Sequence, residues 1–275
     1  SGGAIYASGT ATINNATFST NEAGISGGAI SAGNTVTISG IKNSLTANTA
    51  EVNGGAIYTN TNVIVNGTNN NTFANNTATT GNGGAIYATT TAAISSATFT
   101  TNKAEQGKGG AVYAGNAVTI TNGTFGTETA GTGNIAQQGG AIYTQGNIIV
   151  QGATNTFANN TATGNGTDIL GDGGAIYTAG TANIRNATFT NNTAVTGDGG
   201  AIYANNAVTV TSSTFGGENA GNKAGKNGGA IYARLTTPSS SSFKLGTPSG
   251  CSFTSCSASL SGTGTGRGGG VFLYL

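Results

Sequence analysis

The sequence predicts an all-β protein, a right-handed parallel β-helix of about ten coils with three short strands in each coil. A Gly-Gly-Ala-Ile/Val motif recurs from Gly2 onward at intervals of 25–34 residues, and a degenerate copy follows at Gly268 after a longer final unit. Sequence periods of 20–50 residues are typical of solenoids and other repeat arrays. Because no segment shows the 3.6-residue period of a helix, the prediction is one repeat domain over residues 1–275 with an irregular last coil, 228–275.

The first two strands of each coil follow from alternating apolar and polar residues. The motif itself ends in Ile or Val, and a second apolar pair lies six and eight residues further on, as in Val118 and Ile120 after Val112. Apolar residues two apart with polar residues between them indicate a strand that is buried on one face. The paired glycines are expected at the corner before the first strand, where a Cβ would not fit.

A third strand ends in Phe, or once in Leu, and is followed three residues later by a polar residue. We expect this residue to turn inward at a corner and to bond backbone groups and its own copies, forming an asparagine ladder. Glu128 and Glu218 stand at this offset in two copies. The asparagines at this offset are Asn21, Asn48, Asn76, Asn102, Asn160 and Asn192.

Charge and composition exclude several functional classes. Only 6% of the residues are charged and the net charge is +1, which argues against nucleic acid as a partner. No apolar run is long enough to span a membrane as a helix. The chain has no His, and its eight acidic residues lie mostly in turns, so neither an enzyme nor a bound cofactor is expected.

Asp172 and Asp198 are the two acidic residues that stand out. Each directly precedes a Gly-Gly pair in consecutive coils, so the two carboxylates should lie about one strand spacing apart. They are weak candidates for a metal site, and the alternative is a pair of solvated turn residues. No metal is therefore expected.

The pairing of Gly-Gly-Ala-Ile/Val with Phe-x-x-Asn in one coil, as at Gly83 and Phe99 to Asn102, resembles the passenger repeats of the chlamydial polymorphic membrane proteins and of similar β-helical surface proteins. The resemblance covers nearly the whole chain. It implies an autotransporter-type passenger, a secreted β-helix displayed at the cell surface and used in adhesion to host cells. It also implies an extracellular location and a host-cell protein or glycan as partner.

One aromatic position recurs in nearly every coil, directly after the Ile or Val of the motif. If that Ile points inward, alternation points the aromatic residue outward. The resulting tyrosine stripe is a docking surface for sugar or protein, together with the long turns 129–138 and 161–172, or a seam for lateral contact. The alternative is a stack that only stabilises the sheet. The candidate binding residues are Tyr58, Tyr87, Tyr113, Tyr143, Tyr177, Tyr203 and Tyr232.

Two further features leave alternatives open. Cys251 and Cys256 flank Phe253 in the last coil and form either a disulfide or two small apolar side chains in the core or corner. The chain also begins and ends in strand-like sequence without a charged cap, and low charge favours association. Its function is thus predicted to be that of an adhesin, with a structural fibre subunit that stacks head to tail on identical subunits as the alternative.

Overall fold

The computed structural model is a parallel β-solenoid, and it describes residues 2–67, 71–235, 243–246, 250–258 and 266–274. The described strands form four parallel sheets, one of ten strands and three of nine, and each strand pairs with its copies in the neighbouring coils. The predicted fold class is confirmed, and ten coils is close to the number observed. The prediction of three strands per coil is incomplete, because a fourth strand follows the corner asparagine.

The strands of a coil are short and follow one another in the order of the four sheets. The first sheet contains Ile5–Ala7, Ile30–Ala32, Ile57–Thr59, Ile86–Ala88, Val112–Ala114, Ile142–Thr144, Ile176–Thr178, Ile202–Ala204, Ile231–Arg234 and Val271–Tyr274. The second contains Ala11–Asn14, Val36–Ser39, Val63–Val65, Ala92–Ser95, Val118–Thr121, Ile148–Gln151, Ala182–Arg185, Val208–Thr211 and Phe243–Gly246.

The third and fourth sheets complete each coil. The third contains Thr17–Ser19, Ser44–Thr46, Asn71–Ala74, Ala97–Thr100, Thr124–Phe125, Asn155–Ala158, Ala187–Thr190, Thr214–Phe215 and Ser252–Phe253. The fourth contains the two-residue strands Glu22–Ala23, Thr49–Ala50, Thr77–Ala78, Lys103–Ala104, Ile135–Ala136, Thr161–Ala162, Thr193–Ala194, Lys223–Ala224 and Ser257–Ala258.

Equal positions of successive coils lie directly over one another. Ile86 pairs with Ile57 on one side and with Val112 on the other, and Phe99 pairs with Phe73 and Phe125 in the same way. From Phe73 to Phe215 the Phe rings are stacked at centroid distances of 4.6–5.0 Å and are fully buried. One coil cannot bury such a column alone, so the hydrophobic core exists only through stacking.

The paired glycines occupy a corner that admits no larger residue. Gly83 has φ +68°, in the left-handed region that favours glycine. A Cβ on Gly84 would lie 2.0 Å from the carbonyl oxygen of Gly110 in the next coil. The motif therefore brings consecutive coils into backbone contact before the first strand begins.

Residues 238 and 248, the two prolines of the irregular last coil, lie outside the described residues. In the described part of that coil, Phe243–Gly246 pairs with Val208–Thr211 in the same parallel register as the other coils. The described residues contain no helix that is long and apolar enough to cross a membrane.

Candidate functional site

The asparagine ladder runs through the corner between the third and fourth sheets. Asn102 is fully buried; its side-chain amide donates to the carbonyl oxygen of Phe73 and to Oδ1 of Asn134, each at 2.9 Å. Its own Oδ1 accepts the backbone N–H and the side-chain amide of Asn76, at 3.1 and 2.9 Å. Each asparagine of the ladder from Asn48 to Asn192 is fully buried and links three coils in this way, whereas Asn21 in the first coil is half-buried and bonds to Asn48 alone.

Two asparagines of this ladder were not predicted from the Phe-x-x-Asn pattern. Phe-x-x-Glu placed Glu128 and Glu218 at the corner, but the structure has Asn134 and Asn222 there. Both glutamates are exposed on loops that are inserted between the Phe and the corner. Both asparagines share the Asn-x-Ala pattern that follows the other corner asparagines, as in Asn76-Thr77-Ala78, and this pattern would have found them.

A second group of inward-pointing polar residues was not predicted. It lies two residues before the Phe of the third strand, where Asn43 donates through its side-chain amide to Oδ1 of Asn71 at 2.8 Å. Asn155 accepts the backbone N–H of Gly123 at 2.9 Å. The signal was available in the sequence, because these positions share the inward face with the Phe.

The tyrosine stripe lies on the outer face of the first sheet, outside the hydrophobic core cluster. From Tyr58 to Phe272 the rings are stacked nearly parallel at centroid distances of 4.6–5.5 Å. Tyr113, Tyr143, Tyr203 and Tyr232 are buried, and the others of the predicted set are half-buried. The stacking contribution to the sheet is thus visible directly, whereas a binding role for the stripe stays a prediction.

Polar partners fix the phenol groups of the stripe. Gln145 donates to the Tyr113 hydroxyl at 2.9 Å, and Asn205 bridges the hydroxyls of Tyr177 and Tyr203, both at 3.1 Å. Burial and the adjacent Tyr87 and Tyr143 raise the pKa of Tyr113 to about 12. The stripe therefore stays uncharged at physiological pH.

The side chain of Lys108 is in contact with the stripe. The Lys108 ammonium lies 4.7 Å from the ring centroid of Tyr143 and 3.4 Å from its hydroxyl. Burial lowers the pKa of Lys108. A cation over an aromatic face adds a favourable electrostatic contact to the stack.

Asp172 and Asp198 belong to a hydrogen-bonded column at the position before each Gly-Gly pair. Oδ1 of Asp172 accepts the backbone N–H of Asp198 at 2.9 Å, and Oδ1 of Asp198 accepts that of Asn227 at 2.8 Å. Asn53 accepts the backbone N–H of Asn82 in the same way, at 2.8 Å. The two aspartates thus accept the same inter-coil hydrogen bond that asparagine accepts elsewhere in the column.

The electrostatics of this pair oppose full ionisation. Burial is the largest cause that raises the pKa of Asp172 to about 6, and the neighbouring Asp198 carboxylate raises it further, against hydrogen bonds that lower it. Burial raises the pKa of Asp198 as well. Within the described ranges no group of three or more His, Cys, Asp or Glu side chains is placed to hold a metal ion.

The long turns are built differently from the prediction. The stretch 129–138 is not one turn, because it contains the corner Asn134 and the strand Ile135–Ala136. Within 161–172, Oδ1 of Asn165 accepts the backbone N–H of Asp168 and Ile169 at 3.0 and 2.8 Å. Each insertion is therefore an ordered loop on the outside of the solenoid.

Cys251 and Cys256 are free thiols in the structure. Sγ of Cys251 lies 3.6 Å from the Val210 carbonyl oxygen, and Sγ of Cys256 lies 3.4 Å from that of Phe215. Cys256 also accepts a weak contact from the side-chain amide of Asn222, at 3.9 Å. It thus stands at the corner position that asparagine holds in earlier coils.

Four stretches of the chain match the Chlamydia polymorphic membrane protein repeat: residues 72–89, 96–115, 186–205 and 220–234. The first three stretches contain both Phe-x-x-Asn and Gly-Gly-Ala-Ile/Val, and the fourth runs from the corner Asn222 through the Gly-Gly pair into the first strand of the next coil. The predicted resemblance to these repeats is confirmed, and with the β-solenoid fold it supports a surface protein of the autotransporter passenger type. No curated protein and no solved structure matches the chain.

Proposed function

We propose that this β-solenoid is the adhesive part of a passenger that is displayed at the cell surface and binds a host-cell protein or glycan. The observation that carries the proposal is the match of four stretches to the polymorphic membrane protein repeat within one continuous solenoid. The proposed location is extracellular, and no enzymatic activity or cofactor is part of the proposal.

The outer face of the first sheet is the proposed binding surface. Its aromatic residues form a line along the solenoid, which a long ligand contacts at several coils at once. The phenol groups and their amide partners, such as Gln145 and Asn205, offer hydrogen bonds along that line. Aromatic residues with one polar end are favoured in interfaces for this combination.

The test measures binding of the purified, fluorescently labelled chain to cultured epithelial cells by flow cytometry. We expect saturable binding that excess unlabelled chain displaces. The double variant Tyr58→Ala/Tyr177→Ala should bind at least about tenfold more weakly, since both rings are half-buried and their exposed parts are accessible to a ligand.

The matched control is Asn183→Ala/Thr209→Ala, which changes two outward positions of the second sheet. It should bind like the wild-type chain, and circular dichroism should show that all three proteins are folded. Binding that does not saturate, or that the unfolded chain shows equally, would contradict the adhesin proposal. Long unbranched fibres in electron micrographs would instead favour the fibre subunit, whose stacking of identical subunits stays a prediction.

A further inference from the structure

The tyrosine stripe is interrupted where Ser31 takes the aromatic position. Ser31 pairs with Tyr6 in the preceding coil and with Tyr58 in the following coil. Because neighbouring strands lie about 4.8 Å apart, the backbone positions of Tyr6 and Tyr58 are separated by about 10 Å, with no aromatic side chain between them. The structure has an open slot of ≈ 340 Å³ at this place.

The slot combines two aromatic walls with a polar floor. Tyr6 and Tyr58 form the walls, and Ser8, Ser31, Gly33 and Asn60 contribute to the remaining surface. Ser31 is only 5% exposed. Within the described part of the chain its hydroxyl forms no hydrogen bond, and it lines the slot.

The wall on the Tyr58 side is held in place by a polar contact. The Tyr58 hydroxyl donates to Oδ1 of Asn60 at 2.8 Å, and the opposite face of its ring is stacked on Tyr87 at 5.3 Å. This leaves the amide N–H groups of exposed Asn60 to donate to a ligand at the rim. Tyr6 is 70% exposed, the most open aromatic ring of the stripe.

We propose that this slot binds one pyranose ring of a glycan, sandwiched between Tyr6 and Tyr58. The C–H groups of a pyranose pack against aromatic faces, and its ring hydroxyls then reach the Ser31 and Asn60 side chains. The slot volume lies at the lower end of the range for small-molecule sites, roughly 300–1,000 Å³. The proposal rests on the proposed adhesive function and names the ligand class for one place on the stripe.

The polar floor favours a sugar over an aromatic side chain of a partner protein. A Phe or Trp ring in the slot would cover the Ser31 hydroxyl without offering it a hydrogen bond, which is unfavourable in a desolvated site. A sugar hydroxyl satisfies it. The slot carries no charged side chain, so an ionic ligand gains nothing here.

The test variant is Ser31→Tyr, which fills the gap with the residue that other coils carry at the same position. Saturation-transfer NMR on the purified chain measures contact with methyl glycosides of glucose, galactose, mannose and N-acetylglucosamine. We expect at least one of these probes to bind wild type and its affinity to fall at least about tenfold in Ser31→Tyr. Asn183→Ala, an exposed position on the outer face of the second sheet, should leave the glycoside binding unchanged.

Three outcomes overturn the proposal. They are the absence of binding by all four glycosides, equal binding to Ser31→Tyr, and binding of N-acetylphenylalanine amide at this slot in place of the sugars. Thermal melting checks the fold, and Ser31→Tyr should melt no lower than wild type because the added ring completes the stack. Each of these three outcomes overturns the slot proposal alone, because saturable cell binding by the wild-type chain tests the adhesin proposal separately.

Discussion

Replacement of Asn102 by alanine tests how strongly the buried asparagine ladder holds neighbouring coils together. The change removes four hydrogen bonds, two from the side-chain amide and two to Oδ1. At about 1 kcal/mol net for each bond, the free energy of unfolding should fall by about 4 kcal/mol. One of these four bonds is the one that satisfies the backbone N–H of buried Asn76, and leaving that group without an acceptor costs more than an average bond.

The assay is urea unfolding followed by far-ultraviolet circular dichroism. Asn183→Ala is the matched control, because Asn183 is exposed on the outer face of the second sheet. This variant should lie within about 0.5 kcal/mol of wild type. A loss of less than about 1 kcal/mol in Asn102→Ala, or a loss equal to that of the control, would refute a ladder that joins the coils.

Three other changes have expected outcomes. Because the pKa of Asp172 is raised from 3.8 to about 6 in the folded protein, the folded state holds a proton that the unfolded state releases, and stability should fall as the pH rises from about 4 to about 6. Asp172→Asn should remove much of this fall, which amounts to at most about 3 kcal/mol. Thermal melts across that pH range measure it. Gly110→Ala should lower the free energy of unfolding by about 1–3 kcal/mol, since a Cβ there would lie 2.2 Å from the carbonyl oxygen of Gly140. A Cβ on Gly24 has no atom within 4 Å, so Gly24→Ala should be neutral. Equal midpoints of urea unfolding for the two variants would contradict this. Cys251 and Cys256 should both react with a thiol reagent in the folded protein, and a melting temperature that drops on addition of reductant would contradict free thiols.

The repeating motifs were sufficient to predict the fold class and the core columns. Each Ile or Phe at a fixed offset stacks on its copies, because parallel pairing at constant register is the arrangement that buries them all. The fourth strand was missed for a physical reason. Strands such as Thr77–Ala78 have two residues with one buried Ala, which a sequence pattern does not distinguish from a turn.

The candidate site was predicted less completely. The Tyr positions and their outward direction follow from alternation, but the extent to which the rings cover one another depends on coil spacing and side-chain rotamers. Asn134 and Asn222 were hidden by inserted loops, which shift the distance from the Phe but not the corner itself. Ser31 is visible in the sequence as a break in the stripe, whereas the open slot beside it requires coordinates.

Stacking of equal positions in successive coils is what holds this molecule together, and hydrogen exchange at the corner asparagines measures it directly. The backbone N–H of each donates to Oδ1 of the next asparagine, at 2.9–3.1 Å, in Asn48, Asn76, Asn102, Asn134, Asn160 and Asn192. We expect these amides to exchange as slowly as those of the Phe strands, although they lie at a corner outside any strand. Exchange as fast as that of the exposed loop 128–131 would contradict a continuous ladder and the stacked solenoid built on it.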